Sequence, residues 1–158
     1  MNQSRIKCVK GDLFEAVAEQ SNVVIAHVCN DKSVMGAGFV IPLSKRFPVA
    51  REKYLAEKVL NLGYAQIVPV DDEKKIYVAN MIAQHGVGPD ANGKPPIRYA
   101  ALCSAMILVA GVAKVARLSI HAPKFGAGLA GGNWDFIATL IEELWTSQGI
   151  PVTIYSLE

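Results

Sequence analysis

The order of residues between Leu118 and Trp145 constrains this chain more than any other part of it. Leu118 to Ala122 is a short apolar run, the pattern of a strand buried in a sheet. It leads into His121-Ala-Pro-Lys-Phe-Gly-Ala-Gly-Leu-Ala-Gly-Gly-Asn-Trp134, with glycines at 126, 128, 131 and 132. Asn133 then stands where an N-cap belongs, ahead of a helix expected from Trp134 to Trp145. Strand, glycine loop and helix N-terminus, in that order, build an anion cradle. Glycine lets backbone N–H groups approach a ligand closely, and the helix end adds partial positive charge. The loop lacks the Gly-Lys-Ser/Thr of a Walker site, and it is not a G-x-G-x-x-G fingerprint in a first βα unit. Taken alone, it is either a phosphate loop or a glycine-rich turn without a ligand.

The rest of the chain repeats the same grammar. Ile6 to Val9 reads as a first strand, and Gly11-Asp12-Leu13-Phe14 opens a short helix. Asn22 to Val28 holds Val-Val-Ile-Ala, the continuous apolar run of a parallel strand covered on both faces. Cys29 to Ser33 reads as a polar turn, and Met35-Gly36-Ala37-Gly38 as a second glycine loop. Phe39 to Phe47 is expected to be a helix, kinked or restarted around Pro42. Pro48 opens another, Val49 to Leu60, that Gly63 ends. Ala65 to Val70 and Lys75 to Ile82 are strands joined by the polar turn Asp71-Asp72-Glu73-Lys74. Gln84 to Pro96, with three glycines and three prolines, is a loop. Ile97 to Ala116 is a long helix, and Val152 to Tyr155 a last strand. Alternating strands and helices give an α/β sandwich on a mixed sheet, parallel in the middle, with an antiparallel hairpin.

Composition narrows the class further. At 158 residues the chain is expected to be one domain, 1–158, and a hydrophobic fraction of 51% with mean hydropathy +0.25 supports a sizeable core. A formal charge of +2, with basic pairs such as Lys45-Arg46 and Lys74-Lys75 scattered, argues for no nucleic-acid partner. Cys8, Cys29 and Cys103 lack metal-ligand spacing and any CxxC, so they read as free thiols of a reducing compartment, with Cys8 and Cys103 in the core. Met-Asn-Gln-Ser-Arg carries no apolar leader, and the longest apolar stretch, Ala100 to Ala113, is too short to cross a bilayer. A cytoplasmic protein without a membrane partner is the expectation.

Several residues invite two readings. Asp12, just after a strand, is either a helix N-cap or an acceptor for an exocyclic amine such as that of adenine. Asn30 is either a turn residue or a partner for a ribose diol. Among the histidines, His121 lies mid-strand and reads as packed core. His85 sits in a Gln84-His85-Gly86 loop, with Asp90 near in sequence. His27 stands close to Asn30, and an imidazole is the natural acid–base group near neutral pH. No His, Asp or Glu pair has metal-ligand spacing on a helix, so neither metal nor cofactor is implied.

Taken together, Lys10-Gly-Asp-Leu-Phe14, Val24-Ile-Ala-His-Val-Cys-Asn30, Met35-Gly-Ala-Gly-Phe39 and Pro123 to Trp134 resemble a macro domain over nearly the whole chain. The resemblance is nearest to the branch holding ADP-ribose-1''-phosphate phosphatases and the hydrolase that frees ADP-ribose from glutamate. It implies a three-layer α/β/α sandwich with a mostly parallel sheet, and ADP-ribose or its 1''-phosphate as the small-molecule partner. Gly11, Asp12 and Leu13 are then expected at the adenine, with Tyr155 on the adenosine side. Met35, Gly36, Ala37, Gly38 and Phe39, together with Phe125, Gly126, Ala127, Gly128, Leu129, Ala130 and Gly131, enclose the diphosphate and distal ribose. Asn30 and His27 then face that distal end, and with His85, which either reaches the distal ribose or is plain surface, they are the candidate catalytic residues.

Two departures from the branch bear on chemistry. Glutamate-cleaving members carry an acid where this chain has Ala130, and a nucleophilic lysine where it has Ala83-Gln84. A Schiff-base route needs that lysine. Three functions therefore compete: phosphatase of ADP-ribose-1''-phosphate, hydrolase releasing ADP-ribose from modified macromolecules, and non-catalytic reader. The missing lysine and acid count against the second.

Overall fold

The computed structural model describes residues 5–157. Residues 1–4, on which the expectation of no leader rests, and residue 158 of the expected domain lie outside the described residues. The expected alternation is present as β1 (Lys7–Lys10), α1 (Leu13–Ala18), β2 (Val23–Asn30), α2 (Val40–Arg46), α3 (Pro48–Ala56), β3 (Ala65–Asp71), β4 (Ile76–Gln84), α4 (Tyr99–Ala116), β5 (Ser119–Pro123), α5 (Trp134–Leu144) and β6 (Val152–Ser156). The six strands form one sheet in the order β1-β6-β5-β2-β4-β3. Every neighbouring pair is parallel except β3 with β4. The carboxyl ends of β2, β4 and β5 therefore open on the same side, where ligands of open α/β sheets bind.

Period-two alternation within β2 divides the two faces. Val24 and Ala26 join the core under α4 and α5, which holds Leu102, Met106, Ile137 and Trp145. Val23 and Ile25 face α1 and α2, with Leu13, Leu43 and Phe47. The strand is buried on both sides, as its unbroken apolar run requires. α4, an 18-residue helix of mean hydropathy 1.9, turns Leu102, Ala105, Met106 and Val109 into the core. Asn133 caps α5 by accepting the Phe136 N–H at 3.0 Å.

Several boundaries differ from those expected, each for a local reason. β2 runs on through Cys29 and Asn30, and β4 through Gln84, because the two strands stay paired to their ends. The break between α2 and α3 falls at Phe47 (φ −132, ψ 75), ahead of Pro48 as expected, but α2 runs unbroken through Pro42, where a kink or restart was expected. Pro42 lies in the first turn of α2, where a missing N–H removes no helical bond. α3 ends at Ala56, and Glu57 is already extended. Gly63 serves a later turn, with φ +95 and its N–H bonded to the Ile82 carbonyl. Cys8 is exposed rather than in the core, because edge strand β1 leaves that face uncovered; Cys103 is partly buried against the α4 side, and Cys29 is buried.

Candidate functional site

A cleft of about 520 Å³ lies at the carboxyl ends of β2, β4 and β5. Its first wall is the 34–40 segment leaving β2, and its second the 123–130 segment leaving β5. Met35, Gly36, Ala37, Gly38 and Phe39 line it from one side; Phe125, Gly126, Gly128, Leu129 and Ala130 line it from the other. His27, Asn30 and Gln84 form its floor, and Lys124 contributes a cation. The two loops meet across it: a Cβ on Gly38 would stand 3.3 Å from Leu129 Cδ1.

The glycines of these loops fall into two groups. Gly126 and Gly131 have φ of +78 and +75, and a Cβ on them would meet Ile137 at 3.0 Å and Pro95 at 2.8 Å. A Cβ on Gly132 would run into the Gly126 carbonyl oxygen. Their glycine is demanded by the protein's own packing. Gly36 and Gly128 are different. Neither has a left-handed φ, and a Cβ on either would meet nothing within 4 Å. Both line the cleft, so their lack of a side chain keeps the cleft open and the backbone within reach of its contents. The N–H groups of Gly131 and Gly132 bond within the loop, to Gly128 and Gly126 carbonyls. Those of Gly36, Ala37, Gly38, Phe39, Leu129 and Ala130 meet no acceptor among the described residues. Two runs of unpaired donors on the segments that line one cleft suit an anion.

Asn30 anchors the first loop. Its Oδ1 accepts the N–H of Lys32 at 2.9 Å and of Val34 at 3.2 Å, and its Nδ2 donates to the Val34 carbonyl at 2.6 Å. The turn reading of Asn30 is therefore realised, and one Nδ2 hydrogen remains for the cleft. A bulge positions it: Cys29 pairs with Ile82, but Asn30 pairs with Gln84, so Ala83 is skipped. The skip separates the two residues standing where the lysine was sought. Ala83 packs into the α4-side core, and Gln84 faces the cleft.

His27 lies beneath the cleft at 2% exposure. Its Nε2 donates to Asn80 Oδ1 at 2.5 Å. Asn80 Nδ2 in turn donates to Gln66 Oε1 at 3.0 Å and to the Ala50 carbonyl at 3.2 Å. Burial lowers the His27 pKa to about 4, against the raising effect of the Asn80 bond. The ring is neutral at neutral pH, which fits a fixed hydrogen-bonding group and leaves it no proton to exchange there. Cys29 Sγ sits 3.6 Å from His27 Nε2, and burial pushes its thiol well above the ordinary range, so it is a packed S–H.

The remaining predicted residues lie off this cleft. Asp12 caps α1, its Oδ1 accepting the Phe14 N–H at 2.7 Å and the Glu15 N–H at 3.4 Å. Gly11, Asp12 and Leu13 connect to the cleft through Phe14, whose ring stacks on Phe39 at 5.3 Å. Tyr155 is buried, with its hydroxyl 2.7 Å from His121 Nδ1. His121 is the packed core histidine expected, lowered to about 4 by burial and the charge of Lys7. Ala127 and Gly131, also expected at the ligand, lie in the same loop but do not line the cleft. His85 stands just outside, and its partner is Asp31 at 2.7 Å rather than Asp90, which closes its own turn through the Asn92 and Lys94 N–H groups. Asp31 is the residue that sequence reasoning passed over; its position directly after Asn30 was the available signal. Among the described residues no group of three or more His, Cys, Asp or Glu side chains is arranged to hold a metal ion.

Comparison with known proteins extends this picture. No family model matches the chain. A macrodomain protein from Streptomyces coelicolor shares 38% identity and superposes with a TM-score of 0.79, over 96% of this chain and 99% of that one. A protein of unknown function from Bacteroides thetaiotaomicron shares 39% identity with a TM-score of 0.89, over 98% and 99%. An uncharacterized 17.5 kDa protein of phage T4 is 33% identical over 87% of this chain and 88% of its own. The human ADP-ribose glycohydrolase OARD1 is 27% identical over 98% of this chain and 93% of that protein. An ADP-ribose 1''-phosphate phosphatase of Candida albicans is 25% identical over 87% and 92%.

Proposed function

The chain belongs to the macrodomain family, and from that premise we propose that it binds ADP-ribose in the cleft and hydrolyses the terminal phosphate of ADP-ribose-1''-phosphate. The observation that carries the binding reading is the pair of glycines, Gly36 and Gly128, that nothing in the protein's own packing requires. Both line the cleft, on two loops whose backbone N–H groups include several with no protein acceptor. A diphosphate is long enough to meet donors on both loops, and its charge suits them. Lys124, 6.0 Å from the Trp134 ring centroid, adds a cation at the second loop.

For the reaction, donors already in place stabilise charge as it develops on a terminal phosphate without reorganising. Asn30 retains one N–H at the distal end for a ribose hydroxyl or the attacking water. Ala130 and Gln84 offer neither carboxylate nor amine where the glutamate-cleaving branch keeps its acid and its lysine, so that branch's covalent route lacks its nucleophile at the expected position. That favours the phosphatase reading over removal of ADP-ribose from glutamate. Free ADP-ribose and its 1''-phosphate are dissolved metabolites, in keeping with a cytoplasmic setting.

The test is phosphate release from ADP-ribose-1''-phosphate beside calorimetric titration with ADP-ribose. Saturable binding together with release above the uncatalysed rate supports the proposal. Binding without release leaves a reader, and no binding removes the cleft's assignment altogether. Efficient cleavage of glutamate-linked ADP-ribose from an automodified protein would overturn the argument from Ala130 and Gln84.

A further inference from the structure

We propose that Asp31 and His85 form a carboxylate–imidazole dyad that serves as the general acid–base for hydrolysis at the Asn30 end of the cleft. The proposal rests on the hydrolytic reading above and supplies the proton-transfer group that reading lacks.

The geometry begins with the ends of two paired strands. Asp31 follows Asn30, and its N–H donates to the Gln84 carbonyl at 2.9 Å. His85 follows Gln84 directly. Both neighbours line the cleft, as does Val87, so the pair stands on the lip at the end where Asn30 lies. Asp31 uses both carboxylate oxygens on one short segment. Oδ1 accepts the Gly86 N–H at 2.9 Å, and Oδ2 lies 2.7 Å from His85 Nδ1. The carboxylate is shielded, at 12% exposure, whereas the imidazole is 51% exposed.

That arrangement fixes the tautomer. With an acid as its partner, Nδ1 carries the hydrogen, so the lone pair of the neutral ring is on Nε2. Burial opposes ionisation of Asp31, but the Gly86 N–H, the His85 hydrogen bond and charge, and Lys32 outweigh it and hold the carboxyl below its ordinary range. The carboxylate therefore remains anionic and holds the ring in place, as the acid of a hydrolytic triad does. An exposed ion pair contributes little stability. What this one supplies is orientation: a shielded carboxylate, held by the Gly86 N–H, fixes one ring between two residues, Gln84 and Val87, that line the cleft.

The other histidines do not compete. His27 and His121 are buried and bonded on their rings, to Asn80 and to Tyr155.

The step balances without a further reactant. Water oxygen bonds to phosphorus while its proton passes to His85 Nε2. The bond from phosphorus to the bridging oxygen breaks, and its electron pair stays on that oxygen. The imidazolium then returns the proton to it, giving ADP-ribose and inorganic phosphate.

The experiment compares wild type, His85→Ala and Asp31→Asn for kcat and KM on ADP-ribose-1''-phosphate, with an ADP-ribosylated protein as second substrate. Binding of ADP-ribose and cooperative melting are measured on each. His85→Ala should lose about 10²-fold or more in kcat with ADP-ribose affinity within about twofold, since Nε2 acts on the reacting water and not on the bound nucleotide. Free imidazole should restore part of that kcat, a response that loss of a merely structural residue does not give. Asp31→Asn, which keeps an acceptor for Gly86, should lower kcat at least about tenfold with KM unchanged. An active wild type with an equally active His85→Ala overturns the dyad alone. A wild type that binds ADP-ribose yet is inert on both substrates overturns the hydrolytic reading, and the dyad with it. Should Asp31→Asn fail to fold, His85→Ala and its imidazole rescue decide.

Discussion

The hydroxyl of Tyr54 lies 2.6 Å from the carbonyl oxygen of Asn30 and 2.8 Å from its Oδ1, joining α3 to the strand end that opens the cleft. Tyr54 is fully buried, and the Asn30 side chain already closes the turn to Val34. Tyr54→Phe keeps the ring and removes that tie. It should cost about 1–3 kcal/mol of stability and weaken ADP-ribose binding through the loosened 31–38 loop. Urea unfolding and calorimetry measure the two effects; a stable variant with unchanged affinity would detach Tyr54 from the site.

Gly128→Val and Gly126→Ala should fail in opposite ways. At 128 the added atoms enter the open cleft, so the variant should melt like wild type and lose the thermal shift that ADP-ribose gives. At 126 even one methyl group meets Ile137 at 3.0 Å on a backbone of φ +78, so stability itself should fall, by about 1–3 kcal/mol. A Gly128→Val protein still stabilised by ADP-ribose would show that this loop does not contact the ligand.

Asp12 can serve two partners at once, because the cap uses Oδ1 and leaves Oδ2. Asp12→Ala should lose about 0.5–2 kcal/mol of stability with the cap. Asp12→Asn keeps an acceptor for the cap and should stay near wild type in melting. If Oδ2 takes the adenine amine, both variants lose roughly 1.5–3 kcal/mol of ADP-ribose affinity. Equal affinity in Asp12→Asn and wild type would confine Asp12 to capping.

Stability should fall on mild acidification. Burial lowers His27 and His121 to about 4 in the folded chain, whereas unfolding returns each imidazole to about 6.5. Between those values the unfolded chain binds more protons than the folded one, so stability is full above about pH 6.5 and declines as pH drops toward 4. The His27 shift alone corresponds to about 3 kcal/mol across that window. His27→Gln retains a donor for Asn80 and loses the titration, so its unfolding free energy should depend less on pH. A wild type whose stability is flat from pH 7 to 4.5 would contradict the buried neutral rings.

Much of the frame is written in local sequence. The apolar run of β2 can be satisfied only by cover on both faces, and that implies a parallel strand between helix layers. The glycines between β5 and α5, with Asn133 as cap, announce a strand–loop–helix corner whatever the rest of the chain does. These are short-range properties, settled by period, propensity and capping within a dozen residues. The motif set also pointed to the macrodomain family and to both cleft loops.

Tertiary structure decided what faces what. The two kinds of glycine in one loop are alike in sequence; only the packing of Ile137 and Pro95 separates the glycines the fold needs from Gly128, which it does not. Ala83 and Gln84 stood as one uncertain position until the bulge opposite Asn30 sent one to the core and the other to the cleft. His27 looked like an acid–base candidate by its place beside Asn30. Burial and Asn80, a residue of β4 some fifty positions on, hold it neutral. Asp31 and His85 are 54 residues apart and meet because β2 and β4 are sheet neighbours. Hydrogen bonds and desolvation act between atoms brought together by pairing and packing, and one-dimensional spacing carries no record of those distances.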